Sequence, residues 1–304
     1  MNYKAIIKSR KMRMMLLRIL RWVSDKKMIE FQYRIKMGRA LDLRNPQRYT
    51  EKLQWYKLNY KDPRMIQCVD KYEVRNYIKQ KGLKRILNQC YGVYFHPDEI
   101  PFSNLPEKFV IKNTLGAGGN SVILCDNKKA LDITRLKKIL TMWINDRSYI
   151  KGGGREWPYY SGRKPRIIVE KFIETEDARG LVDYKFMCFN GKVEYCFVLC
   201  DRKLGISVKE GIFDRNFNQL NVAEVGDEIP EGIEKPDNYE EMIIVAEKLA
   251  NDFPHVRVDL YNVSGKIIFG ELTFYDASGY SIYEPDEFDY TLGSVFELPK
   301  RKKL

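Results

Sequence analysis

The sequence predicts an α+β protein, in which a helical N-terminal region leads into a body of short strands and a few helices. Three observations predict this. Apolar residues recur at helical spacing near the N-terminus. From residue 109 the chain changes to short runs rich in Val, Ile, Phe and Tyr. Asn190-Gly191 then separates two such runs, the turn signal of an antiparallel hairpin.

Residues 3–24 place Met12, Leu16, Ile19, Leu20 and Val23 on one helical stripe, with Arg10, Arg18 and Arg21 roughly opposite. Two readings stay open for this basic amphipathic helix: it lies on an anionic membrane surface, or it docks on the protein's own core with a solvated basic face. Residues 28–62 are helical or loop around Asn45-Pro46. The segment DKYEVRNYIKQKG (70–82) reads as a helix, with Asp70 as N-cap, Glu73 completing a capping box and Gly82 ending it. Strands are expected at Phe109–Asn113, Ser121–Cys125 and Arg166–Ile173, with a helix over 132–147 between them. Tyr184–Phe189 and Val193–Leu199 form one hairpin, a helix follows at 238–253, and Arg257–Tyr261 with Lys266–Leu272 forms a second hairpin.

The 304 residues suit about two domains. With 44% hydrophobic and 31% charged residues the chain reads as soluble and globular, and 13% aromatic content excludes a disordered one. Six cysteines without a CxxC pair, beside two histidines, argue against a structural zinc site. Cys188 and Cys196 lie in apolar runs and read as buried thiols of a reducing compartment. No stretch approaches the ~20 apolar residues of a spanning helix, and the run Met14 to Leu17 is too short for a secretory signal. The formal charge of +12 implies anionic partners: nucleotides, anionic sugars, a lipid surface or nucleic acid. Nucleic acid is disfavoured because no RNP-like motif or zinc finger occurs.

Three segments carry chemistry. In FVIKNTLGAGGNSVIL (109–124), one strand delivers Lys112 and the loop Gly116-Ala117-Gly118-Gly119-Asn120 returns into the next. Glycines let backbone N–H groups converge on phosphate oxygens, and a lysine adds charge there. No Gly-Lys-Ser/Thr follows and no helix opens, so this is neither a Walker A loop nor a dinucleotide fingerprint. A plain hairpin turn would also need glycine, so the loop alone leaves both readings open. In RIIVEKFIE (166–174) an apolar strand lines either an adenine pocket, with Glu170 accepting from the exocyclic amine, or an ordinary core. In VRVDLYNVSGKIIFGELTF (256–274), Arg257 and Asp259 share a face of one strand, and Glu271 and Thr273 share a face of the next. Two adjacent carboxylates repel unless a cation sits between them, and magnesium is the natural one beside a nucleotide. A solvated polar face is the alternative.

In this order the motifs resemble the TupA-like family of the ATP-grasp superfamily, named for teichuronopeptide biosynthesis. The resemblance runs from about Phe31 to Phe296. It includes YTEKLQWYKL (49–58), DKYEVRNYI (70–78), FVIKNTLGAGGN (109–120), REWPYY (155–160), RIIVEKFIE (166–174), DYKFMCFNGK (183–192) and RVDLYN…GELTFYDASG (257–279). It implies an ATP-grasp fold of two α+β subdomains clasping ATP, at 106–180 and 181–304, preceded by a mostly helical region (28–105) and the basic helix (1–27). Lys71 and Lys112 would reach the ATP phosphates under the flexible loop of Gly116, Gly118, Gly119 and Asn120. Glu170, Lys171 and Ile173 would form the adenine hinge. Asp183 and Lys185 would lie on the ribose or phosphate side, Lys185 in a catalytic role, and Asp259 and Glu271 would hold magnesium.

Thr273 departs from the asparagine that many ATP-grasp enzymes carry there, which weakens the case for two fully ligated ions. Asp276 receives no role. The implied activity is amide ligation through an acyl phosphate, with Lys112 and Arg257 offsetting the transferring charge and residues 116–120 and 150–160 as lids. The implied acceptor is a uronic acid of a bacterial surface polysaccharide, an anionic glycan or lipid-linked saccharide handled at the cytoplasmic face of the membrane. A sugar or lipid kinase, or a glycosyltransferase lacking a DxD triplet, are the alternatives. Tyr159 and Tyr160 read equally as sugar-stacking residues or packing anchors.

Overall fold

The computed structural model describes residues 10–116, 121–146, 153–160, 163–203 and 207–302. Helix α1 (Arg10–Ile19) continues as a 3-10 turn to Trp22 and stops where Val23 turns extended. The helix expected over 3–24 is therefore broken at Val23, and its first residues lie outside those described. Ser24 opens a new helix, α2 (Asp25–Met37), by accepting from the Lys27 amide, and Gly38 closes it at φ 71°. Helix α3 (Tyr49–Asn59) begins where Glu51 accepts from the amides of Gln47 and Arg48. Helix α4 (Pro63–Val69) has Asp62 as its cap and Pro63 in its first turn.

The helix expected from residue 70 starts later, as α5 (Val74–Gln80). Asp70 Oδ1 accepts from both Tyr72 N and Glu73 N, which winds 70–73 into a turn. The capping-box partner is drawn away, because Glu73 pairs with Arg166 at 2.9 Å. Gly82, at φ 70°, lies just past the end, as expected.

The mostly helical region also holds a strand, β1 (Cys90–Tyr94), which joins a sheet made with β2 (Phe109–Asn113), β3 (Val122–Cys125) and β4 (Ile167–Lys171). The order is β1-β4-β2-β3, antiparallel throughout. Period-two alternation sends Phe109, Ile111, Ile167 and Val169 into a small core under α6 (Ile133–Ile144), against Leu136 and Leu140. The same alternation turns Lys112 and Glu170 to the other face.

The second sheet contains β5 (Asp183–Phe189), β6 (Lys192–Lys203), β7 (Ser207–Asp214), β9 (His255–Val263) and β10 (Lys266–Thr273), in the order β10-β9-β5-β6-β7. Asn190 and Gly191, at φ 51° and 78°, form the two-residue turn between β5 and β6 that the sequence predicts. Helix α7 (Tyr239–Ala250) buries Met242, Val245, Ala246 and Leu249 in the core cluster that also holds Phe186, Val256, Val258 and Leu260. A short ribbon of β8 (Ala223–Glu224) and β11 (Tyr283–Glu284) and a last helix, α8 (Glu287–Val295), complete the body.

Helix α8 docks on the start of α3. Asp289 accepts from the Thr50 amide and hydroxyl at 2.9 and 2.8 Å, and Arg48 bonds Asp286 at 2.6 Å. Gly293 makes this approach possible, since a Cβ there would fall 2.0 Å from the Gln47 carbonyl oxygen and 2.8 Å from Tyr49 N. Backbone cannot yield as a flexible side chain can. Gly293→Ala is therefore expected to destabilise the chain by about 3 kcal/mol or more, read as a lower midpoint in urea unfolding.

Candidate active site

The polar face of the second sheet gathers charge by strand register. Glu271 on β10 lies opposite Asp259 on β9, and Asp259 lies opposite Lys185 on β5, so the three side chains form one row. A bulge between Phe269 and Glu271 sets this register. Gly270 occupies it, and a Cβ there would meet the Asp259 carbonyl oxygen at 3.0 Å.

Arg257, two residues before Asp259, reaches along the same face. Its Nε and Nη2 donate to the two Asp259 oxygens at 2.8 Å each, and Nη2 also meets Thr273 Oγ1 at 3.3 Å and Glu271 at 3.5 Å. Its Nη1 donates to Asp276. Lys185 bonds Asp259 at 2.6 Å and Asp183 at 2.8 Å. Burial opposes the charge on Arg257 and Lys185, but Asp259 with Asp276, and Asp183 with Asp259, hold both cations charged with their pKa values raised. Partial burial opposes the half-exposed Glu271 carboxylate, yet Lys71, then Lys185 and Arg257, hold it down at about 2.

The other wall comes from the first sheet. Lys112 Nζ bonds Glu170 at 2.8 Å, and Arg75 meets the same carboxylate at 3.3 Å. Lys71 joins the walls: its Nζ donates to the Gly116 carbonyl at 2.7 Å and meets Glu271 at 3.2 Å. Its position is fixed from both sides, because the Lys71 amide donates to Thr114 O at the end of β2 and Arg166 clamps Asp70 and Glu73. A small cleft between the walls is lined by Lys71, Arg75, Lys112, Glu170, Phe269 and Gly270.

The structure thus brings Lys71, Lys112 and Glu170 to one cleft, with Gly116 and Glu271 bonded to Lys71 beside it and Asp183, Lys185, Arg257, Asp259 and Thr273 on the adjoining sheet face. Gly118, Gly119 and Asn120 lie outside the described residues, as does part of the 150–160 segment. Gly116 is required by crowding, since a Cβ would stand 2.6 Å from that of Ser121. At the expected adenine hinge, two residues have polar groups engaged within the chain. The Glu170 carboxylate is buried and committed to Lys112 and Arg75, and the Lys171 backbone bonds Gln89 O and Asn88 Nδ2. Ile173, half-buried, follows two residues on. Tyr159 packs on the core within electrostatic reach of Glu271 and Arg257, and the Tyr160 side chain is not among those described.

The residues Asp259, Glu271 and Thr273 fit a magnesium ion in donor chemistry: two carboxylates and a hydroxyl, all hard oxygens on one sheet face. They differ in access, since the Glu271 side chain is 38% exposed and that of Asp259 only 3%.

Sequence reasoning missed four residues here. Arg75 carried a signal, lying four residues after Lys71. Asp276 carried none beyond its place after Thr273, yet it is the carboxylate that takes Arg257 Nη1. Gln54 and Lys57, on α3, hold the turn that carries Asp276: Gln54 donates to Ser278 O and Gly279 O, and Lys57 Nζ donates to Ser278 O and Gly154 O. That turn has positive φ at Ala277, Ser278 and Gly279 in succession, so it needs such external bonds.

Burial pushes the Lys57 amine down to about 7. Between pH 7 and the unfolded value near 10.5 the unfolded chain binds a proton that the folded one has lost, so stability rises with pH across this window. The expected gain is up to about 1.4 kcal/mol per pH unit, absent in Lys57→Met, by denaturant unfolding at pH 7 and 9.

Among solved structures the chain is similar to D-alanine–D-alanine ligase from Bacillus anthracis, at 16% identity and a TM-score of 0.41, covering 68% of this chain and 57% of that one. The ligase of the same name from Helicobacter pylori matches at 13% and 0.41, covering 77% and 60%. Biotin carboxylase from Campylobacter jejuni matches at 11% and 0.42, covering 83% and 49%. The chain spans between about half and three fifths of the length of these enzymes. No curated protein matches it. The assignment comes from the family model of TupA-like ATP-grasp proteins, which matches residues 51–297 and so takes in both walls of the cleft. The chain belongs to the TupA-like ATP-grasp family.

Proposed function

We propose that this ATP-grasp enzyme is a carboxylate–amine ligase that activates its acceptor as an acyl phosphate. The observation that carries the reading is Lys71, which lines one cleft with Lys112 and bonds Glu271, the strand neighbour of Asp259. A carboxylate oxygen attacks the γ-phosphorus and the bond to ADP breaks; an amine then attacks the acyl carbon and phosphate leaves. Lys71 and Lys112 offset charge on the phosphates, which compete with Glu170 for Lys112. Arg257, held by Asp259 and Asp276, stabilises the transferring group. Asp259, Glu271 and Thr273 would hold magnesium, which when bound supplies further charge on the phosphate oxygens. Gly116, Gly118, Gly119 and Asn120 cover the phosphates, with Glu170, Lys171, Ile173 and Asp183 on the nucleoside side.

The acceptor we propose is a uronic acid of a bacterial surface polysaccharide, lipid-linked or otherwise anionic, joined to an amino acid or other amine. The test is ADP release from ATP with uronate and amine panels, and mass analysis of the product. The ligase requires both partners and yields an amide. Release without amine, with a stable phosphorylated product, identifies a sugar or lipid kinase instead.

The N-terminal helix supports a place for this reaction at the cytoplasmic face of the membrane. No helix among the described residues is long and apolar enough to cross one. Met12, Met15, Leu16, Ile19 and Trp22 are nevertheless exposed, Trp22 at 82%, while Leu17 packs toward Gly153. An apolar stripe turned outward on a basic helix suits an anionic lipid surface. Ile19→Ser with Trp22→Ser is expected to reduce co-sedimentation with phosphatidylglycerol vesicles about tenfold. Unchanged sedimentation would refute the membrane role alone.

A further inference from the structure

A second set of carboxylates stands beside the nucleotide site and has no part in holding phosphates. Arg257 divides the two. Its Nε and Nη2 serve Asp259, and its Nη1 serves Asp276. Glu224 on β8 and Glu210 on β7 lie within electrostatic reach of Asp276 and of each other. Glu210 pairs in register with Leu199, and Leu199 with Asp183, so Glu210 projects from the sheet face that carries Asp183 and Lys185. Glu224 accepts from Ser281 Oγ at 2.9 Å.

Two atoms in this set are buried without a well-formed hydrogen bond: Glu210 Oε1, and the hydroxyl of Tyr283, a residue only 2% exposed and paired across the ribbon with Glu224, which has within reach the Ser281 hydroxyl already donated to Glu224. Leaving a buried polar atom unpaired costs about 1–3 kcal/mol, and a charged one more. Burial, then mutual repulsion, raises the carboxyl of Glu210 and pushes that of Glu224 up to about 8. Arg257 and Lys185 are the cations within reach, and with Asp259 and Asp183 already on them they do not neutralise three further carboxylates. The set wants a cation that brings several N–H donors. A metal ion fits poorly, because no three His, Cys, Asp or Glu among the described residues come together at metal-ligand spacing. An ammonium group is larger, carries three donors and no acceptor, and tolerates such spacing.

We propose that Glu210, Glu224, Asp276 and Tyr283 form the subsite for a protonated amine, the nitrogen co-substrate of the ligation; the co-substrate role rests on the ligase reading above. The step balances. The ammonium gives one proton to Glu224, whose raised affinity suits it to take one near neutral pH. The freed lone pair forms the C–N bond at the acyl carbon. The C–O bond to phosphate breaks, phosphate leaves with the electron pair, and the second proton released as the amide forms goes to the departing phosphate. Arg257, bonded to both carboxylate sets, places nitrogen and phosphoryl group side by side.

The first test needs no ligation. Ethylammonium chloride is titrated into the full chain and followed by saturation-transfer NMR, with tetramethylammonium, which has no N–H, as the control. Transfer to ethylammonium and not to tetramethylammonium is expected in the wild type, weakened about tenfold in Glu210→Gln and Glu224→Gln. Both variants remove a charge that burial disfavours, so their folding is expected to survive, and circular dichroism checks it. No selective transfer in the wild type, or equal transfer in folded variants, overturns the subsite.

The second test takes the amine found by the ADP-release panel. Its KM is expected to rise about tenfold or more in both variants while the KM for ATP stays within about twofold. An unchanged amine KM with amide formation intact overturns the subsite and leaves the ligase standing. Amine-independent phosphorylation overturns the co-substrate role together with the ligase reading, and the first test still shows whether an ammonium ion binds.

Discussion

Asp259→Asn combined with Glu271→Gln is expected to lower ADP formation about 10³-fold, some 4 kcal/mol of transition-state stabilisation. Both replacements keep side-chain volume and remove charge at the two positions that face each other across β9 and β10. A neutral amide pair attracts a magnesium ion far less than a carboxylate pair does. The loss should therefore be accompanied by a weaker dependence of ATP-analogue binding on magnesium, measured by calorimetry. Folding is checked by a cooperative thermal transition. Undiminished ADP release from the folded double variant would remove the metal assignment.

Arg257→Met has the largest expected effect on stability, about 3–5 kcal/mol, because it leaves Asp259 and Asp276 buried with one cation fewer. The variant should also lose activity, since the group that bridges both carboxylate sets is gone. The two causes separate in a double-mutant cycle. Adding Asp276→Asn removes one of the stranded charges, so part of the stability should return while activity does not. Urea unfolding midpoints and ADP release, measured on the same preparations, check both halves. If Arg257→Met unfolds at the wild-type midpoint, the ion pairs around it are not those described.

The features legible in the sequence were those that local rules determine. Short runs of β-branched and aromatic residues gave the strands carrying Lys112, Glu170, Asp259 and Glu271, and Asn190-Gly191 gave a hairpin turn whose two positive φ angles the structure contains. Side chains two apart share a face, so the pairing of Arg257 with Asp259 and of Glu271 with Thr273 was legible before any coordinates. The remainder depends on contacts between distant segments. Gln54 and Lys57 act on Ser278, more than two hundred residues away, and nothing local in α3 announces it. Glu73 looked like a capping-box residue until Arg166, the residue just before β4, claimed its carboxylate. Asp276 meets Arg257 because β9 and β10 pair Arg257 with Thr273, three residues before it. The break at Val23 was hidden because Val23 itself falls on the apolar stripe, while the Ser24 cap that enforces the break reads as one more polar residue.

The central claim is that Lys71, Lys112, Asp259 and Glu271 serve one magnesium nucleotide, and a crystal structure with Mg2+ and a non-hydrolysable ATP analogue tests it most directly. The account predicts Lys112 moved from Glu170 onto a phosphate, Lys71 within hydrogen-bonding distance of the same chain of phosphates, and the metal bound between Asp259 and Glu271. A nucleotide seated elsewhere, with the Lys112–Glu170 and Lys71–Glu271 pairs undisturbed, would contradict it.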